Sequence, residues 1–132
     1  MPEPERPRVL IVDDYPGLHA ALMRLLTPSC QIVGQMSDAV DLFETATRLQ
    51  PDVILLDFSM PGLNVLELCR RFVKGLQPVK VIILTAVDDL DVKNQCLAAG
   101  ASGFVDKLRL TRDLLPAIEY ATASPDRGNN VL

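Results

Sequence analysis

Residues 53–62 read VILLDFSMPG. Four apolar residues, Val53 to Leu56, run without a break into Asp57, and Met60-Pro61-Gly62 follows as a turn signal. A continuous apolar run of this length, bounded by turn residues, reads as a strand buried on both faces. Ending such a strand on a carboxylate needs a reason. Asp is a common turn and cap residue, so this stretch alone is as well explained by a strand end that hydrogen-bonds a loop. What the rest of the chain brings to the same place decides between that and chemistry.

Two further runs resemble it: RVLIVDD at 8–14 and VKVIILTA at 79–86. Two shorter segments, QIVGQM at 31–36 and SGFVDK at 102–107, also read as strands. Helical spacing fills the intervals. Leu18, Ala21, Leu22, Leu25 and Leu26 share a face that Pro28 ends. Ser37 or Asp38 is the expected cap of a second helix carrying Val40, Phe43 and Ala46 with Thr47 or Leu49, closed by Pro51. Val65, Leu68, Cys69 and Phe72 mark a third helix, ended by Gly75. A fourth spans about Asp89 to Ala99, with Gly100 as its C-terminal cap. The last turns Leu110, Leu114, Leu115, Ile118 and Ala121 inward and contains Pro116, where a local kink is expected.

Five βα units with continuous apolar strands predict an α/β fold: a parallel sheet sandwiched between two helical layers. Five such strands make a three-layer sandwich, and one order open to it is the flavodoxin-like 2-1-3-4-5. The domain is expected over residues 8–122. Residues 1–7 read as a flexible lead-in, and 123–132 as a loose tail or the start of a linker to a missing effector domain.

The totals narrow the function. With 132 residues the chain is one domain, large enough for a real core. A formal net charge of -4 argues against direct nucleic-acid binding by this segment and against an anionic membrane surface. No apolar run approaches the ~18 residues of a membrane span, and MPEPERPR lacks a signal-peptide core, so a cytoplasmic location is expected. The three cysteines, Cys30, Cys69 and Cys96, have wide spacings and no zinc pattern. They read as reduced thiols on helix faces or at helix ends.

In doubly wound sheets, ligands bind outside the carboxyl ends of the strands. Here those ends carry Asp13-Asp14, Asp57, Thr85-Ala86 and Asp106-Lys107. If the strand order is 2-1-3-4-5, the first, third and fourth strands are central neighbours, and three carboxylates then converge on one rim beside a hydroxyl and an ammonium. Converging carboxylates repel and raise one another's pKa. A hard divalent cation removes that difficulty: Mg²⁺ takes oxygen ligands and binds one or two carboxylates together with a phosphate. An aspartate can act as nucleophile and form an acyl phosphate, and metal and lysine would stabilise the transferring phosphoryl group. The strand then serves to hold Asp57 rigidly at the rim.

These residues resemble the receiver domain of bacterial two-component response regulators. The likeness rests on Asp13-Asp14, Asp57 with Met60-Pro61-Gly62 downstream, Thr85-Ala86, Lys107, and the run AAGASGFVDK at 98–107, and it covers residues 8 to 122. The resemblance implies that Asp57 accepts phosphate from a sensor histidine kinase. It implies Asp14 and Asp57 as direct Mg²⁺ ligands, Asp13 acting mostly through a water, and the Ser59 carbonyl on the metal. It implies Lys107 and Thr85 as partners of the phosphoryl group, Ala86 leaving room for it, and Thr85 with Phe104 as the conformational switch. The output implied is control of transcription through an effector domain or a downstream protein, with a homodimer as a further option. A stand-alone receiver and a degenerate, phosphorylation-independent module are the alternatives. The chain is expected to catalyse only its own phosphorylation and dephosphorylation. A haloacid-type hydrolase would carry a second Asp where Ser59 stands. The sequence departs from many receivers at Leu108, where they have Pro.

Other candidates have plainer readings. His19, the only histidine, is expected as a partly exposed helix residue away from the rim. Asp88, Asp89 and Asp91 suit a helix N-terminus. Arg70, Arg71 and Lys74 read as a solvated face.

Overall fold

The computed structural model describes residues 6–60, 62–75, 79–87 and 89–123. Strand β1 spans Arg8–Val12, β2 Gln31–Met36, β3 Val53–Asp57, β4 Lys80–Thr85 and β5 Gly103–Asp106. Helix α1 spans Pro16–Leu26, α2 Leu42–Leu49, α3 Val65–Val73, α4 Leu90–Ala98 and α5 Leu110–Thr122, with a 3-10 turn over Lys107–Arg109. The strands pair in parallel in the order β2-β1-β3-β4-β5.

Side-chain alternation along the strands divides the core into two layers. Leu10, Val12, Ile54, Leu56, Val81 and Ile83 face one way and pack with Leu42, Ala46, Val65, Cys69, Phe72 and Cys96 from α2, α3 and α4. Val9, Ile11, Val53, Leu55, Ile82, Leu84 and Val105 face the other way and meet Leu22, Leu26, Leu114, Ile118 and Ala121 from α1 and α5. All five residues of β3 are buried. Each fully buried aliphatic side chain contributes about 1.5–3 kcal/mol. Val53 to Leu56 together therefore outweigh the several kcal/mol that burying the charge on Asp57 costs.

Several sequence expectations change in detail. Helix α2 begins at Leu42, not at Ser37 or Asp38. Asp38 instead accepts a hydrogen bond from Val40 N–H (2.9 Å) in a turn, and Asp41 enters the helix from a left-handed conformation (φ 63°). Val40 is consequently exposed rather than on the helical face. Helix α5 runs unbroken through Pro116. The lead-in is tied down where it is described: Arg6 donates to the Thr27 carbonyl (2.8 Å), and the Pro7 carbonyl accepts from Gln31 (2.8 Å). The rest of that segment, Pro61, Asp88 and the tail from 124 onward lie outside the described residues. Gly100 is the expected C-terminal cap, with φ 108°, and all three cysteines are free and buried. Asp89 caps α4 by accepting from Asp91 and Val92 N–H. Arg71 is not simply solvated, since its guanidinium lies 3.8 Å above the Phe43 ring.

Candidate functional site: an acidic rim closed by a lysine

Sheet register builds the site. Val12 lies opposite Leu56, so the next residue of each chain segment, Asp13 and Asp57, emerges side by side. Asp57 is level with Leu84, and Thr85 with Asp106, which brings the following Lys107 to the same rim. By alternation Asp13, Asp57 and Lys107 fall on the α1/α5 side of the sheet. Thr85 continues the series Val81, Ile83 on the opposite side, where Phe104, level with Ile83, packs against the α2–α4 core.

Asp13, Asp14 and Asp57 each present an oxygen within 4.8 Å of the others. Asp13 and Asp57 are buried and Asp14 is exposed. Lys107 Nζ lies 3.0 Å from Asp13 Oδ2 and 3.2 Å from Asp57 Oδ1. Burial opposes the ammonium, but the hydrogen-bonding and charge of Asp13 and Asp57 outweigh it and hold the Lys107 pKa above the ordinary lysine value.

The two oxygens of Asp57 are not equivalent. Oδ1 accepts from Ser59 N–H (3.0 Å) and the Ser59 hydroxyl (3.0 Å) as well as facing Lys107. Among the described residues no hydrogen bond reaches Oδ2. On Asp13, Oδ1 accepts from Tyr15 N–H (2.8 Å). Oδ2 is buried, and the Lys107 ammonium at 3.0 Å is its one partner among the described residues. Three carboxylates share the rim with a single ammonium, which leaves an excess of negative charge. The donor set, all oxygen with one exposed carboxylate, fits a hard divalent cation. Next to Asp14 the rim opens onto a cleft of about 480 Å³, lined also by Asp38, Val40, Met60 and Leu63.

No hydrogen bond joins Thr85 to Asp57. Its hydroxyl accepts from Val87 N–H (3.0 Å) and so engages the loop after β4. Ala86 is exposed beside it. Asp106 was read only as the companion of Lys107, yet its Oδ1 accepts from Leu108 N–H (2.9 Å) and starts the 3-10 turn. Proline at 108 would have no N–H to give, so the departure at Leu108 is what permits this cap. His19 differs from expectation. It is buried, and its Nε2 lies 2.6 Å from the Asp13 carbonyl oxygen, directly behind the rim.

Five parallel strands in this order, flanked by five helices, define a receiver-type fold. Residues 9–119 match the family model of the response regulator receiver domain, and the chain belongs to that family. It is 30% identical over 118 residues to the response regulator GacA of Pseudomonas aeruginosa, covering 88% of this chain and 55% of that protein. It is 31% identical over 117 residues to the transcriptional regulatory protein LiaR of Bacillus subtilis, covering 87% of this chain and 56% of that protein. The chain thus spans about half the length of these curated relatives. Among solved structures it resembles the response regulator domain of CheB from Thermotoga maritima (TM-score 0.79, 28% identity, covering 91% of this chain and 98% of that one). It also resembles a LuxR-family two-component response regulator from Aurantimonas (TM-score 0.81, 26% identity, 90% and 86% covered).

Proposed function

We propose that this chain is a phosphoacceptor switch: it takes a phosphoryl group onto Asp57 from a sensor histidine kinase, in a Mg²⁺-dependent reaction, and changes conformation to control an output. The observation that carries this reading is the asymmetry of Asp57, whose Oδ1 is held by Ser59 and Lys107 while Oδ2 has no such partner among the described residues, beside two further carboxylates. Asp57 Oδ2 attacks the phosphorus of a phosphohistidine. The new O–P bond forms as the P–N bond breaks, and the electron pair leaves on the imidazole nitrogen, which takes up a proton. Lys107 neutralises negative charge on the transferring group.

Asp13, Asp14, Asp57 and the Ser59 carbonyl would hold the Mg²⁺, with Asp13 acting mostly through a water. When bound, the ion supplies charge neutralisation to the phosphoryl oxygens. Thr85 provides the switch. To reach a phosphoryl group on Asp57 its hydroxyl must release Val87, which frees the loop leading into α4, and Phe104 moves in the space beside it. Ala86 offers no bulk to obstruct the group.

The output follows the relatives named above: an effector domain or downstream protein, with transcription as the process controlled and a homodimer as one possible form. The chain turns over no separate substrate in this reading and belongs in the cytoplasm. Its described helices include none long and apolar enough to cross a membrane.

The test is incubation with acetyl phosphate and Mg²⁺. Wild-type protein should gain a phosphate labile to hydroxylamine. EDTA and Asp57→Asn should each abolish it, and Asp14→Ala should raise the Mg²⁺ concentration required. Equal labelling of Asp57→Asn would refute the assignment.

A further inference from the structure

Asp13 has four polar atoms, and the fold fixes three of them. Its N–H donates to the Met36 carbonyl (3.0 Å), and its Oδ1 accepts from Tyr15 N–H (2.8 Å). Its own carbonyl oxygen lies 2.6 Å from His19 Nε2. The fourth, Oδ2, faces the Lys107 ammonium at 3.0 Å. Two of these three anchors are backbone groups of neighbouring segments. The third is the side chain of the single histidine, which is nine-tenths buried on the first turns of α1. A carbonyl oxygen only accepts, so Nε2 must carry the hydrogen in this contact.

The peptide oxygen that His19 holds belongs to the bond joining Asp13 to Asp14. Rotation of that peptide unit would swing the Asp14 Cα, and its displacement would shift the backbone from which the Asp13 side chain projects. Loss of a group that holds a metal ligand in place from behind typically costs about 10–100-fold in metal affinity.

We propose that His19 is a positioning residue for the acidic rim: its Nε2–H clamps the 13–14 peptide and so sets both carboxylates for the cation. The inference rests on the reading of the rim as a Mg²⁺ site. A merely structural His19 would fill space between α1 and β1, and an apolar side chain of similar size would serve as well.

The experiment compares wild type, His19→Leu and His19→Gln. Leu fills the volume without a donor, and Gln returns an N–H at similar reach. Mg²⁺ affinity by calorimetry and the rate of phosphorylation by acetyl phosphate are measured well below each variant's unfolding midpoint. His19→Leu should lose about tenfold in Mg²⁺ affinity, with slower phosphorylation at fixed Mg²⁺, and His19→Gln should recover most of both. Wild-type affinity in folded His19→Leu would overturn the proposal. So would equal loss in both variants, because shape and not the N–H would then matter. A second measurement needs no variant: the nitrogen shifts of His19 in labelled wild-type protein should report the Nε2–H tautomer, and a hydrogen on Nδ1 alone would sink the clamp even if His19→Leu failed to fold. Absence of Mg²⁺ binding in the wild type would instead bring down the metal-site reading itself.

Discussion

At the scale of single residues, the rim is a balance of charges that Lys107 holds together. Its ammonium faces Asp13 and Asp57 at 3.0 and 3.2 Å, in a site where it is itself mostly buried. Lys107→Ala should therefore destabilise the protein in EDTA by about 1–3 kcal/mol, less than a fully buried pair because the ammonium retains some solvent contact. The same ammonium repels any cation in the pocket, so Mg²⁺ should bind the variant at least as tightly as wild type and recover part of the lost stability. Thermal unfolding with and without Mg²⁺ measures both effects; a variant as stable as wild type in EDTA would contradict the charge balance. The acids and Lys107 were legible in the sequence because strand ends in a parallel sheet point at one rim. The bond from His19 was not. It depends on how α1 leaves the loop after Asp14, which no spacing rule encodes, and a lone histidine among Leu and Ala reads as a helix-face residue.

Among the elements, strands were easier to read than helix starts. Val53–Leu56 and Val81–Leu84 are apolar on both faces, and burial on both faces leaves them no other place. Helix α2 shows the opposite case. Ser37, Asp38 and Asp41 all have capping side chains, and the left-handed turn at Asp41 postpones the helix to Leu42, a choice made by packing of Leu42 and Ala46 rather than by local chemistry. The 3-10 turn at Lys107–Arg109 belongs to this scale too. Asp106→Ala removes the acceptor of Leu108 N–H and should cost about 1 kcal/mol, as loss of a cap does, with a further fall in phosphorylation because Lys107 is the first residue of that turn. Asp106→Asn keeps the acceptor and should restore most of both. Urea titration and phosphorylation rates check this; full activity and stability in Asp106→Ala would remove Asp106 from the support of Lys107. Gly100 is constrained more severely. It has φ 108°, and a Cβ there would overlap Val73 Cγ2. Gly100→Ala should lower the urea midpoint clearly, and an unchanged midpoint would mean that α3 and α4 move apart freely.

For the whole molecule, the two-layer core makes a pH prediction. Cys69 is fully buried, and burial first, with Cys96 nearby second, pushes its thiol up from 9.0 to about 11. The unfolded chain therefore loses this proton at lower pH than the folded one. The associated stability is complete below pH 9 and is lost as pH rises to about 11, a change on the order of 2–3 kcal/mol. Lys107, raised above 10.5, adds a further loss as pH rises from 10.5 through its own titration. Urea unfolding across this range should show the decline, flattened in Cys69→Ala; a midpoint independent of pH up to 11 would contradict the burial. The layered fold that produces this effect also delivers Asp57 to the rim, and its identity as the phosphoacceptor is the central claim. The most direct measurement is to phosphorylate the protein with acetyl phosphate and Mg²⁺, reduce it with borohydride, and map the product by peptide mass. Borohydride converts an aspartyl phosphate to homoserine, so the reduced site is read from the sequence of the peptide. The account predicts conversion at residue 57 alone. Conversion at Asp13 or Asp14, or none in folded, Mg²⁺-binding protein, would contradict it.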